Sequence, residues 1–372
     1  MRPTWVEVNT RSIARNLRHI KSALPPDTQI LAVVKADGYG HGAAPVAIRA
    51  LEEGVSFLGV ALVEEGVALR RAGIAAPILF MESPFPWQAL DLVKYGLTAT
   101  VASYESADML SDAAVVLGKR AKVHVKVDTG MGRLGLSPTA TFGLVRHVAK
   151  LPGIEIEGIF THLACAESNL NMTRRQLEQF DELGSKLSAE GYDIPIRHAA
   201  NSAAALTLPE TFYDMVRVGG IMYGLSPLGT VAPSEPWTPA LSFHTRVSYI
   251  KLVRPETPIS YGASYVTSGP ELIATLPVGY ADGYPRALSN VGEVLIGGRR
   301  CPIAGRVCMD QVMVSLPPDA DVKVGDEVVL IGAQGEERIF AEEIARATGT
   351  IGYEVVCAIS KRVPRVYVAD DR

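Results

Sequence analysis

A chain of 372 residues, 48% hydrophobic and 20% charged, can bury roughly three-quarters of its unfolded surface, which excludes disorder as the main state and makes disulfide or metal staples unnecessary. A formal net charge of −4 leaves no electrostatic footprint for nucleic acid, and no apolar run approaches the roughly 18 residues that a membrane span needs. Residues 1–7 lack the apolar core of a secretory signal, and Cys165, Cys301, Cys308 and Cys357 form no Cys-x-x-Cys pair, so the expectation is a cytoplasmic protein with free thiols and no resident metal.

In chain order, Ile13, Leu17, Ile20 and Leu24 fall on one helix face behind the cap candidates Asn9 and Thr10, which predicts a first helix. Apolar runs then recur at Ile30 to Val34, Phe57 to Ala61, Ile78 to Met81, Leu97 to Val101, Val123 to Val127, Ile154 to Phe160, Ile194 to Ala199 and Met215 to Val218, with helix-like segments between most of them. Eight runs in regular alternation predict an α/β fold, a closed (β/α)8 TIM-type barrel. A Pro-rich stretch from Ser226 through Pro233 and Pro236 to Pro239 reads as a linker. Beyond it the runs are short, β-branched and separated by Gly, Pro and Asp, which predicts a mostly β C-terminal domain with one helix near Ala341 to Thr348. The expected division is 1–228 for the barrel and 229–372 for the β domain.

The segment Ile30-Leu-Ala-Val-Val-Lys35-Ala-Asp-Gly-Tyr39-Gly-His-Gly42 is a buried strand that ends on a lysine and a glycine-rich turn. At the C-terminal end of a barrel strand that lysine faces the usual site of chemistry, where apolar walls suit a Schiff-base amine or a proton-transferring base. His124, Lys126 and Asp128 alternate with Val123, Val125 and Val127 on a strand expected to be buried on both faces, a polarity that a Lys126–Asp128 hydrogen-bonding network would explain. Gly130-Met-Gly132-Arg-Leu-Gly135, with Glu155 twenty positions beyond, formally matches a dinucleotide-binding fingerprint, but it is not in a first βα turn and Glu155 does not close the second strand.

The Lys35 segment closely resembles the pyridoxal-phosphate (PLP) lysine motif of alanine racemases. The resemblance runs along nearly the whole chain through Val127-Asp-Thr-Gly-Met-Gly-Arg133, Thr161-His162, Ala200-Asn-Ser202, Val216-Arg217-Val-Gly219-Gly220, Ser260-Tyr261-Gly, Gly279-Tyr280-Ala-Asp-Gly, Gly305-Arg306-Val-Cys-Met309-Asp310 and Gly352-Tyr353-Glu. It implies pyridoxal 5'-phosphate as cofactor, a barrel followed by a β domain, and interconversion of L- and D-alanine that supplies D-alanine for peptidoglycan. Tyr39, Ser202, Gly219, Gly220 and Tyr353 would line the phosphate site. Arg217 would face the pyridine nitrogen, where a permanently cationic guanidinium keeps that nitrogen unprotonated and favours racemisation over decarboxylation.

Racemisation needs a proton-handling group on each face of a planar intermediate. The resemblance implies Lys35 for one face and Tyr261, linked to Arg217 through His162, for the other. It also implies that Arg133 and the Met309 backbone N–H bind the substrate carboxylate, with a carbamylated Lys126 fixing Arg133. The active site is then shared within a homodimer, since Tyr261 and Met309 would come from the partner subunit. Arg306, Arg286, Tyr280 and Ile351 would line the approach, where Glu167 departs from the family's usual shorter aspartate. The alternative in another class is a non-catalytic PLP carrier, which would lack Tyr261 and Met309.

Overall fold

The computed structural model describes residues 2–227 and 237–369; residues 228–236 of the Pro-rich stretch lie outside the described residues. Strand Trp5–Asn9 (β1) leads directly into helix Thr10–Ala23, whose first turn is capped by the Asn9 side chain accepting from the N–H groups of Arg11 and Ser12. Eight parallel strands follow: Gln29–Val33 (β2), Phe57–Val60 (β3), Ile78–Phe80 (β4), Thr98–Val101 (β5), Ala121–Lys126 (β6), Ile154–Phe160 (β7), Ile196–His198 (β8) and Met215–Val218 (β9). Each corresponds to an apolar run of the sequence.

They hydrogen-bond in the order β8-β7-β6-β5-β4-β3-β2-β9. Two backbone bonds draw the ends of that path together, Asp214 N–H to the Arg197 carbonyl and Arg217 N–H to the Ala200 carbonyl, each 3.1 Å. The sheet is thus an eight-stranded, nearly closed α/β barrel. β3, β4, β5 and β9 are buried at every position, as strands covered on both faces by crossover helices must be. Long helix Leu170–Ala189 starts on the Asn169 cap and buries Leu177, Phe180, Leu183 and Leu187 along one face.

Contact clustering divides the chain into this barrel unit, Leu17–Gly38 with Ala43–Met222, and a second unit, Met1–Asn16, Tyr39–Gly42 and Tyr223–Arg372. The second unit is mostly β. Strand Leu241–Arg246 (β10) pairs antiparallel with β1 and with Glu327–Gln334, and β1 also pairs in parallel with Arg365–Val368. Tyr249–Val253, Glu271–Leu276 and Val312–Leu316 form a separate antiparallel sheet, packed around Val253, Ile259, Ile273 and Ala304. The expected helix spans Ala341–Thr348, and a further short helix, Gly352–Ala358, follows it. Cys165, Cys301, Cys308 and Cys357 are all free thiols. Among the described residues no helix is long and apolar enough to cross a membrane.

Candidate active site

β2 delivers half-buried Lys35 at its C-terminal end, and the chain then turns left-handed through Ala36, Asp37, Gly38 and Tyr39, with φ of 51°, 54°, 61° and 54°. Three of these four residues carry a Cβ, at about 1–2 kcal/mol each, so the turn persists only because it is pinned. The pin is Glu65: one carboxylate oxygen accepts the Ala36 N–H at 2.7 Å, and the other accepts the N–H groups of Ala61 and Leu62 at 2.9 and 3.1 Å. The Asp37 carboxylate accepts from Ala43 N–H at 2.9 Å and closes the turn from the other side. Strain of this kind concentrates at functional sites.

β9 is the barrel neighbour of β2, with Leu31 opposite Arg217. The Arg217 guanidinium is buried, 4% exposed, and is held by four neutral acceptors: the carbonyls of Thr161 and Ala199 at 2.8 Å each, His198 Nδ1 at 3.0 Å and His162 Nδ1 at 3.2 Å. No carboxylate pairs with it among the described residues. Burial, with Arg133 nearby, lowers its pKa to about 9, and the same two influences, burial and then Arg217, push His162 and His198 well below the ordinary histidine value. Both imidazoles are therefore neutral, and the local positive charge rests on Arg217.

Lys126 sits at the end of β6, 3% exposed, with its Nζ 4.6 Å from the Phe160 ring centroid and without a hydrogen-bond partner. The Lys126–Asp128 hydrogen bond expected as one explanation of the polar strand face does not form. Asp128 instead accepts the N–H groups of Gly130 and Gly132 at 2.9 and 3.0 Å. Burial, then Arg217 and Arg133, lower the Lys126 pKa well below its ordinary value. The glycine-rich run is this Asp128-centred turn. A Cβ on Gly135, at φ 113°, would lie 2.8 Å from the Asp128 nitrogen, so the glycine serves the turn that presents exposed Arg133.

Ser202, Gly219 and Gly220 come together where β8 and β9 meet, and Ser202 Oγ accepts the Gly219 N–H at 2.9 Å. The hydroxyl proton of Ser202 is then available to a ligand. Gln176, absent from the sequence reading, latches two loops: its amide group donates to the His162 carbonyl at 3.0 Å and to Thr129 Oγ1 at 3.3 Å, and its oxygen accepts from Ala164 N–H at 2.9 Å.

In the second unit, the Tyr39 ring lies 4.9 Å from Tyr223 and 6.0 Å from Tyr353. Burial, then Tyr353 and Cys357, raise the Tyr39 pKa, so its hydroxyl is a donor at neutral pH. Tyr261 is 73% exposed on a tight turn with Ser260, Gly262 and Ala263 all at positive φ, tied by Ser260 Oγ to the Arg306 carbonyl at 2.7 Å. Met309, 53% exposed, sits on a turn that packs against Gly279, where a Cβ would come within 2.3 Å of the Cys308 and Met309 carbonyl oxygens. Arg306 and Glu167 are exposed, and Tyr280 and Ile351 are 42% and 62% exposed.

Residues 8–227 match the family described as "Alanine racemase, N-terminal domain" and residues 240–367 the family "Alanine racemase, C-terminal domain". The chain is 51% identical to the alanine racemase of Symbiobacterium thermophilum over 99% of its own length and 97% of that protein, and 47% identical to that of Halothermothrix orenii over 98% and 97%. Among solved structures it resembles the alanine racemase of Clostridium difficile 630, with a TM-score of 0.93 and 41% identity over 100% of this chain and 97% of that one. Alanine racemase from Bacillus anthracis with bound L-Ala-P gives a TM-score of 0.93 and 41% identity over 100% and 96%. With both halves of the chain matched and the likeness unbroken from end to end, the protein belongs to the alanine racemase family.

Proposed function

We propose that the protein interconverts L- and D-alanine with pyridoxal 5'-phosphate, in a homodimer whose two active sites are shared between subunits. The observation that carries this reading is the Arg217 guanidinium, buried beside the Lys35 strand and held only by neutral acceptors. A cation so placed favours an electron-rich partner and withholds the proton that a carboxylate would supply.

The donor set fits the cofactor. A phosphate finds the Ser202 hydroxyl, the glycine backbone at Gly219 and Gly220 and the phenols of Tyr39 and Tyr353. Bound pyridoxal phosphate supplies an electron-withdrawing ring that acidifies the α-proton of an amino acid attached to it. Lys35, the attachment point, handles that proton on one face, and Tyr261 of the partner subunit handles it on the other, so that one proton is removed and one delivered per turnover. Arg133 and the Met309 N–H of the partner subunit hold the substrate carboxylate. The exposure of Tyr261 and Met309 supports their use by a second copy of the chain. Functionally, 1–228 carries Lys35 and Arg217, and 229–372 carries Tyr261 and Met309.

Lys126 fits the carbamate reading, because a neutral, unpartnered buried amine is a nucleophile toward carbon dioxide. Its carbamate would give Arg133 an anionic partner. The free thiols suit the cytoplasm, where D-alanine for peptidoglycan is made.

The test is one NMR sample of purified protein, pyridoxal phosphate and L-alanine in heavy water. Loss of the α-proton signal with formation of D-alanine is expected. Exchange with retained L configuration would remove Tyr261 as the opposite-face base, and no exchange at all would overturn the racemase reading in favour of a cofactor carrier.

A further inference from the structure

A line of buried polar side chains runs through the barrel interior from Arg217 toward the N-terminal ends of the strands. His198 Nδ1 is 3.0 Å from Arg217 Nη1, His198 Nε2 is 2.9 Å from His124 Nδ1, and His124 Nε2 is 3.4 Å from Glu157 Oε2. Glu157 is closed off by Lys122 Nζ at 2.6 Å and Thr98 Oγ1 at 3.2 Å. The two histidines are fully buried, and Phe160 stacks on His198 at 4.7 Å and 7°. Gly158 makes room for the line, since a Cβ there would lie 2.7 Å from the His124 ring.

The direction of every link follows from its two ends. A guanidinium only donates, so His198 Nδ1 accepts and its proton sits on Nε2. His198 then donates to His124 Nδ1, which puts the His124 proton on Nε2, aimed at Glu157. Between themselves the two imidazoles could bond equally well in the reverse sense, but that arrangement turns an N–H of His198 against an N–H of Arg217. The Glu157 carboxylate favours the same sense from the opposite end. Burial raises its pKa, but His124 and Lys122 outweigh that and hold it at about 2.

We propose that Glu157 is a positioning residue for Arg217: by fixing the tautomers of His124 and His198 it keeps a hydrogen-bond acceptor facing the guanidinium. The proposal rests on the reading of Arg217 as the residue that faces the cofactor, and it gives the barrel's far end a part in the chemistry.

The test uses holoenzyme labelled with 15N-histidine, in which seven histidines give a short spectrum, together with steady-state kinetics. In the unsubstituted protein His124 and His198 should read as neutral imidazoles protonated on Nε2, without titrating between about pH 6 and 8. E157L should populate the other tautomer in one or both and lower kcat about tenfold, the scale seen when a histidine loses the partner that orients it. E157Q, whose amide oxygen still accepts, should keep the tautomers and restore most of kcat. A His198 protonated on Nδ1 in the unsubstituted protein overturns the proposal, as do E157L effects on kcat without tautomer change or on tautomers without kcat change. If E157L does not fold, the unsubstituted spectrum and E157Q still decide. Absence of racemisation in the unsubstituted enzyme would sink the functional reading instead, and the spectrum would register the relay regardless.

Discussion

Lys126 is buried without a hydrogen-bond partner, and the sign of its effect on stability follows from its lowered pKa. The unfolded chain binds a proton at this amine more readily than the folded one does. Stability therefore rises with pH between the folded pKa and about 10.4, and below the folded pKa the whole penalty is present. Lys126→Met should stabilise the protein at neutral pH by about 1–3 kcal/mol in CO2-free buffer, with the gain vanishing above about pH 10. Thermal melts at several pH values measure this. Adding bicarbonate should raise the melting temperature of the unsubstituted protein and leave the Met variant unmoved; an equal response in both would remove the carbamate.

At the scale of the elements, the strained turn after β2 depends on a helix that starts two strands of sequence later. Glu65 is the third residue of helix Val63–Arg71, where a carboxylate ordinarily reaches back to cap its own helix. Here one of its oxygens is spent on Ala36, next to Lys35. Glu65→Ala should cost about 1 kcal/mol as a lost cap, but kcat should fall between about ten- and a hundredfold because Lys35 loses its fixed position. Urea titration and kinetics on the same preparation separate the two, and a stability loss with unchanged kcat would make Glu65 a cap and nothing more.

The barrel strands were legible in the sequence because each is a short apolar run buried on both faces and bounded by turn residues. Helix Gly352–Ala358, which carries Tyr353, was not: it has seven residues and no side-chain cap. Lys35 and Arg217 stood out as charged residues within apolar runs. Glu157, His124 and His198 lie on three different strands, and only barrel closure brings them into line. The one local trace is the inward-facing His124 with Gly158 beside it on the neighbouring strand. Glu65 left a fainter sign, an acid at the third position of a helix following a strand.

For the whole molecule, sharing of active sites between subunits makes a quantitative claim. Lys35→Ala and Tyr261→Phe should each abolish most turnover alone. Mixed after unfolding and refolding, or co-expressed, they should recover about a quarter of the unsubstituted activity, since random pairing makes half the dimers mixed and each mixed dimer holds one intact site. Assay of the mixture against either variant alone checks this. If Lys35 and Tyr261 served the same chain's site, each site in a mixed dimer would still lack one of them, and no recovery would occur.

The pairing of β1 with both β10 and Arg365–Val368 sets Val8 beside Tyr367. During synthesis this strand emerges first, yet its neighbours are translated more than two hundred residues later. The barrel strands, which need nothing beyond Val218 to form their sheet, can assemble while β1 waits with both edges unpaired. An open strand edge is a template for aggregation, so the vulnerable period of this protein's life is on the ribosome, and it lasts until nearly the whole chain has been made.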